Sequence, residues 1–265
     1  MELSLAGKSA LVCGSSQGIG RAAAEELARL GASVTLLARD PDKLRAVATG
    51  LPAPERGQAH GWASADFADP AAVEATVAGL TTAGGGRIYH VLVNNTGGPA
   101  PGPALDAAPA AFEAAFRAHL ICNQVLTRAV VPGMRKSRYG RIVNIISTSV
   151  KQPIPNLGVS NTVRAAVAAW AKTLSIELGP HGITVNNVLP GYTRTARLEA
   201  LVGSRARERE CDRATIEAEL IETIPAGRFA EPGEVAAAVA FLASPAAGYI
   251  SGINLPVDGG RLGTL

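Results

Sequence analysis

The chain has 265 residues, of which 47% are hydrophobic and only 4% aromatic, so a single domain with an aliphatic core suits its length. Its 25 basic and 22 acidic side chains leave a formal net charge of +3, too balanced for a nucleic-acid footprint. No apolar run reaches the roughly 18 residues that a membrane span needs, and the N-terminus lacks a basic flank followed by an apolar stretch. A soluble, cytoplasmic protein is expected.

Short β-branched runs alternate with longer Ala/Leu-rich segments from end to end. Ser9–Cys13 reads as the first strand, and Gly18–Leu30 follows with helical spacing at Ile19, Ala23, Leu27 and Leu30. Gly31 stands where a glycine ends such a helix. Ser33–Leu37 reads as the second strand, and Asp40-Pro41 offers an N-cap with proline at the first helical position. Further strands are expected at Gln58–Ala65, Ile88–Asn94, Arg141–Ser147, Ile183–Leu189 and Ile253–Val257, with helices near Pro70–Ala83, Pro109–Arg135, Leu157–Leu178 and Glu231–Ala243. Strands joined by crossover helices require a parallel sheet covered on both faces. The expectation is one doubly wound α/β (Rossmann) domain over residues 1–265, with seven strands and no linker or internal repeat. Cys13, Cys122 and Cys211 share no ligand spacing, and His60, His90, His119 and His181 stand singly, so no metal site is expected.

The first strand runs straight into Gly14-Ser15-Ser16-Gln17-Gly18-Ile19-Gly20 and then into a helix. Gly14 permits the tight turn, while Gly18 and Gly20 let the backbone approach a pyrophosphate at the helix N-terminus. Three glycines alone also fit an ordinary turn. Their place in the first βαβ unit makes the loop a nucleotide cradle, with Ser16, Gln17 and Ile19 inside it. The second strand ends Leu37-Ala38-Arg39, so no carboxylate waits for a ribose 2′-hydroxyl. Arg39 can pair with a 2′-phosphate instead, and NADP(H) is the expected cofactor. A solvated surface arginine is the plain alternative.

The spacing Gly14-x3-Gly18-x-Gly20 resembles the glycine motif of the short-chain dehydrogenase/reductase family, and further matches follow along nearly the whole chain. These are Asp66-Phe67, Asn94-Asn95-Thr96-Gly97, Pro190-Gly191 with Thr193 and Thr195, Tyr249-Ile250-Ser251-Gly252, and Asp258-Gly259-Gly260. The resemblance implies cofactor contacts at Asp66, Phe67, Asn95, Gly97, Thr193 and Thr195, a homotetramer, and a substrate lid over residues 194–228. It also implies a tetrad of Asn, Ser, Tyr and Lys, the last two spaced Tyr-x3-Lys. Ser147 fits the serine. The tyrosine position falls on Ser160, the lysine position on Arg164, and the helix asparagine on His119. None of the four tyrosines has a lysine four residues later.

That departure changes the chemistry. A serine hydroxyl is too weak an acid to replace a phenol, and a guanidinium stays protonated. Arg164 can still hydrogen-bond a cofactor ribose and hold a fixed charge near the nicotinamide. His119 is the remaining titratable candidate, with a plain helix cap as the alternative. Ser147 could likewise be only a strand-end hydroxyl, and Tyr192 fits packing as well as hydrogen-bond donation. Residues 194–223 mix arginines with carboxylates, and Arg194 and Arg197 are best placed to grip a substrate carboxylate or phosphate. Two functions fit. One is an NADPH-dependent reductase acting on a small, possibly anionic carbonyl or enone substrate without a tyrosine acid. The other is a catalytically weak NADP(H)-binding pseudo-enzyme or scaffold.

Overall fold

Seven strands build the centre of the molecule: β1 (Ser9–Cys13), β2 (Ser33–Ala38), β3 (Gly61–Ser64), β4 (Val91–Asn94), β5 (Gly140–Ile145), β6 (Ile183–Pro190) and β7 (Asn254–Val257). The computed structural model describes residues 1–82 and 86–264. All seven strands are parallel and lie in the order β3-β2-β1-β4-β5-β6-β7. The winding reverses between β1 and β4, so a crevice opens at the carboxyl ends of those two strands.

Both faces are covered by helices, because the strands β1, β2, β4, β5 and β6 are buried on both sides. Helices α1 (Gly18–Arg29), α2 (Pro41–Gly50) and α9 (Pro232–Ala243) bury Leu27, Leu44 and Val239 against Val12, Val34 and Leu36. On the other face lie α3 (Pro70–Thr82), α5 (Cys122–Ser137) and α6 (Gly158–Leu178). They bring Val77, Leu126 and Ala171 onto Leu11, Leu92 and Ile142. The expected end of α3 at Ala83 lies outside the described residues. Among those described, no helix is long and apolar enough to cross a membrane.

Three departures from the expected boundaries have local causes. Strand β3 begins three residues late because Gln58 is engaged through its side chain, donating from Nε2 to Ala28 O at 2.7 Å and Ala32 O at 2.8 Å. His60 and His90 accept backbone N–H groups through Nδ1, from Val34 at 3.2 Å and Ser9 at 3.0 Å, so these histidines replace ladder bonds at strand starts. Strand β5 stops at Ile145 because Ser147 turns the chain, its Oγ accepting from Ser149 N at 3.1 Å.

The long helix expected from Pro109 is interrupted. After α4 (Pro109–Phe116) comes one π-helical turn, Arg117–Ile121, before α5 takes over. Such a turn inserts one extra residue into the helical ladder and often marks a functional site. It carries His119. A further feature crosses the sheet: Asn94, Asn144, Asn187 and Asn254 stand in register on β4, β5, β6 and β7. Each Nδ2 donates to the next Oδ1 at 2.8 Å.

Candidate active site

The glycine loop closes on itself so tightly that side chains are excluded. A Cβ at Gly20 would fall 2.7 Å from Asn95 Nδ2 and 2.8 Å from the Gly14 carbonyl carbon. Asn95 braces the turn by donating from Nδ2 to Gly14 O at 3.1 Å. Ser15 points inward and accepts from Leu37 N, so it ties the loop to β2 rather than facing a ligand. Ile19 also turns inward and packs on the aliphatic core. Gly14, Ser16 and Gln17 line a cleft of about 880 Å³, and the α1 N-terminus lies beside it.

The cleft runs outward past the end of β2. Arg39 lines it, with Nη1 3.9 Å from Asp66 Oδ2, and Lys43 stands beside it in the first turn of α2. Lys43 escaped the sequence reading; it lies three residues past the Asp40 cap, a spacing that returns its side chain toward the strand end. Asp66 and Phe67 line the same region, Asp66 folding its own turn through Ala68 N and Phe67 buried. Thr96, Gly97 and Gly98 form the inner margin together with Arg117 of the π turn. The cleft therefore offers glycine backbone, a helix N-terminus and two cations at its outer end. That donor set suits a dinucleotide with an extra phosphate.

At the inner end the character changes. Ser160 and Arg164 lie one turn apart on α6, both buried. Arg164 Nη1 donates to Ile145 O at 2.9 Å. His119 is 3% exposed and bonds to the Gly97 backbone. Burial, reinforced by the charges of Arg164 and Arg197, holds its pKa down to about 2, so the imidazole is neutral. Burial also lowers the Arg164 pKa, to about 10, with Arg197 adding to the effect; the guanidinium remains charged at neutral pH. His119, Arg164, Asn94 and Asn95 line a second cavity of about 10 Å³, room for a single water. Asn94 Oδ1 is buried without a partner. Half-buried Ser147 caps the turn Thr148–Val150, against which α6 packs. Neither Ser147 nor Ser160 lines the two cavities.

After Pro190-Gly191, Thr193 and Thr195 fold back on the backbone, with hydroxyls donating to Gly191 O and Thr193 O. The Thr195 methyl lies 3.3 Å from where a Cβ on Gly18 would stand, so this segment roofs the glycine loop. Then come two helices, α7 (Ala196–Glu208) and α8 (Arg213–Glu222), with a small core of Leu198, Val202, Ile216 and Leu220. The arginines of this segment divide. Arg194 pairs with Glu231 at 3.1 Å and lies over Phe229; Arg209 pairs with Glu219 and Arg213 with Glu199. Arg197 instead reaches Gly98 and Pro99. Tyr192 is held by packing, edge-on to Phe229 and under the Arg261 guanidinium.

Comparison with known proteins places this geometry among relatives. Residues 14–261 match the family model described as enoyl-(acyl carrier protein) reductase. The 3-oxoacyl-(acyl-carrier-protein) reductase of Vibrio cholerae is 35% identical over 260 residues, spanning 97% of this chain and 98% of that protein. The crystal structure of L-sorbose reductase from Gluconobacter frateurii, complexed with NADPH and L-sorbose, is 32% identical, covers 100% of both chains and superposes with a TM-score of 0.91. That of YwfH, an NADPH-dependent reductase involved in bacilysin biosynthesis, is 29% identical, covers 97% of this chain and 99% of its own, and gives a TM-score of 0.90.

Proposed function

The chain belongs to the short-chain dehydrogenase/reductase family, and from that premise we propose that it is an NADP(H)-dependent reductase. Its substrate would be a small molecule with a polarised C=C bond or an activated ketone, reduced without a tyrosine acid. The observation that carries this reading is the pair Ser160 and Arg164, one turn apart and buried on α6, where the family resemblance puts Tyr-x3-Lys.

The outer cleft supports the cofactor choice. Arg39 and Lys43 offer two cations to a 2′-phosphate, and the α1 N-terminus faces the diphosphate position. Asp66 and Phe67 would flank the adenine, with Asn95 bracing the loop behind. When bound, NADPH supplies the hydride. Arg164 would hold the ribose and keep a positive charge near the reacting carbon. Thr193 and Thr195 would orient the carboxamide, and α7 with α8 would cover the substrate.

The proton is the harder half. Neutral His119 is a weak donor whose one N–H is engaged by the Gly97 backbone, and it holds no ionisable proton near neutral pH. Ser147 and Ser160 are hydroxyl donors. Such groups stabilise a developing oxyanion better than they protonate an alkoxide. Hydride addition at the β-carbon of an enone makes an enolate, whose oxygen these donors can hold until water protonates the α-carbon. Conjugate reduction therefore fits best.

The test uses NADPH deuterated at C4 with a panel of enones and ketones, followed by NMR of the product. Deuterium at the β-carbon is the expected result. Deuterium at a carbinol carbon would favour ketone reduction. Tight NADPH binding with no oxidation by any substrate would sink the reductase in favour of the binding-only protein.

A further inference from the structure

Arg197 is the arginine of its segment whose guanidinium reaches the inner margin of the cleft, at Gly98. Its neighbours Arg194, Arg209 and Arg213 each have a carboxylate partner. Arg197 has none among the described residues, and its polar contact is Nη2 donating to Pro99 O at 3.5 Å. Its guanidinium lies directly over Gly98: a Cβ there would fall 2.7 Å from both Cζ and Nη2. A side chain at Gly98 would push the guanidinium out of this position. Gly98 belongs to the inner margin of the cleft, next to Gly97, which bonds to His119.

The field at that margin is uncompensated. Arg197 acts on His119 and on Arg164 as a nearby positive charge, while no acid contributes at either group. Arg197 is close enough to Arg164 to act on it as a like charge, and such repulsion is relieved when an anion enters between the two. Arg164 is already held inside by Ile145 O. Arg197 is exposed along α7, while its guanidinium end is sheltered enough for burial to lower its pKa, so its fork is the group an entering anion would meet.

We propose that Arg197, seated on Gly98, is the recognition arm for a substrate carboxylate, so that the natural substrate is a small oxo acid or unsaturated oxo acid. The assignment rests on the reductase reading above and narrows its substrate class. A planar carboxylate suits the two parallel N–H groups of a guanidinium. Neutral sugars and uncharged thioesters offer Arg197 no partner of that kind. A diphosphate oxygen of the cofactor is the other oxyanion within this end of the protein, and the experiment separates the two.

The probes are 2-oxo-4-phenylbut-3-enoate and its methyl ester, titrated calorimetrically into the NADP⁺-loaded protein, with NADPH affinity measured separately. Wild type should bind the acid about 10- to 100-fold more tightly than the ester, the range expected for a charged hydrogen bond. Arg197→Gln should abolish that preference, Arg197→Lys should keep part of it, and NADPH affinity should change less than about twofold. Equal affinities for acid and ester in wild type, or a preference that survives Arg197→Gln, overturns the proposal. So does a large loss of NADPH affinity in Arg197→Gln with the acid preference intact, which would give the guanidinium to the diphosphate. Turnover is scored independently: acid bound through Arg197 but never reduced defeats the reductase reading and leaves the anion site standing.

Discussion

At the outer end of the cleft, the side chains of Arg39 and Lys43 are 75% and 62% exposed and each has a carboxylate nearby. At the inner end, Arg164 and His119 are buried, and no carboxylate touches either. Charge in water is cheap to place and its partners are exchangeable, so the outer pair can trade Asp66 and Asp40 for a phosphate with little reorganisation. Charge out of water is expensive, and a fold keeps it there only if something else requires it. The outer cations therefore bear on which cofactor binds. On the proposed function the inner groups bear on the reaction, and substitutions at the two ends should fail in different ways.

The largest expected effect is at the inner end. Ser160→Ala should lower kcat by about 10²–10³-fold, the loss of one oxyanion donor, while NADPH affinity stays the same. Activity indistinguishable from background would mean that Ser160 is the sole acid, and an unchanged rate would remove it from the site. Ser160→Tyr with Arg164→Lys sharpens the point, because it rebuilds Tyr-x3-Lys and should raise the reduction of simple ketones.

The outer end predicts a smaller and purely binding effect. Arg39→Ala should weaken NADPH by about 1.5–3 kcal/mol, one charged hydrogen bond, and leave NADH and kcat nearly untouched. Fluorescence titration of both cofactors measures it. Equal losses for the two would break the contrast between the ends.

The remaining effect is on stability rather than on rate or binding. The His119 imidazole is held down to about 2 in the fold, whereas in the unfolded chain it titrates near 6.5. Between those values the unfolded chain binds a proton that the folded one refuses. Stability therefore falls as pH drops through that window, by up to roughly 1.4 kcal/mol per pH unit, and is flat above it. His119→Asn should reduce this acid sensitivity in urea unfolding followed from about pH 7 to about pH 4. Matching slopes in the two proteins would mean that His119 titrates normally. For the same reason, no step in the rate profile near neutral pH should belong to this imidazole.

How much of this could be read in the residues follows the same division. Gly14, Gly18 and Gly20, the alternation of strands and helices, and the bare strand end before Arg39 are backbone patterns, and backbone patterns are written locally. The seven-stranded sheet emerged from them with only its strand ends displaced, at Gln58 and Ser147, where side chains took over ladder bonds. The inner end depends on distance in space. Gly98 gains its meaning only when Arg197 arrives from ninety-nine positions later. A run beginning at Pro109 gives no warning that one π turn will push His119 into the protein. Arg194 and Arg197 look alike in the chain, and only Glu231 and Phe229 separate them.

The asparagine row across β4, β5, β6 and β7 has a polarity. Asn94, Asn144 and Asn187 all donate in the same sense, toward Asn254 on β7, so the side-chain dipoles add along one line. Its electronegative head is Asn94 Oδ1, which has no protein partner, and Asn94 shares the small cavity with His119 and Arg164. The buried guanidinium thus sits beside the negative pole of a hydrogen-bonded row rather than beside a carboxylate. A carboxylate could be neutralised by acid and would repel an incoming anion with a full charge. Four aligned amides cannot be protonated at working pH, and they present only a fractional charge. The row thus turns a fractional negative pole, one that does not titrate, toward the small cavity that Arg164 also borders.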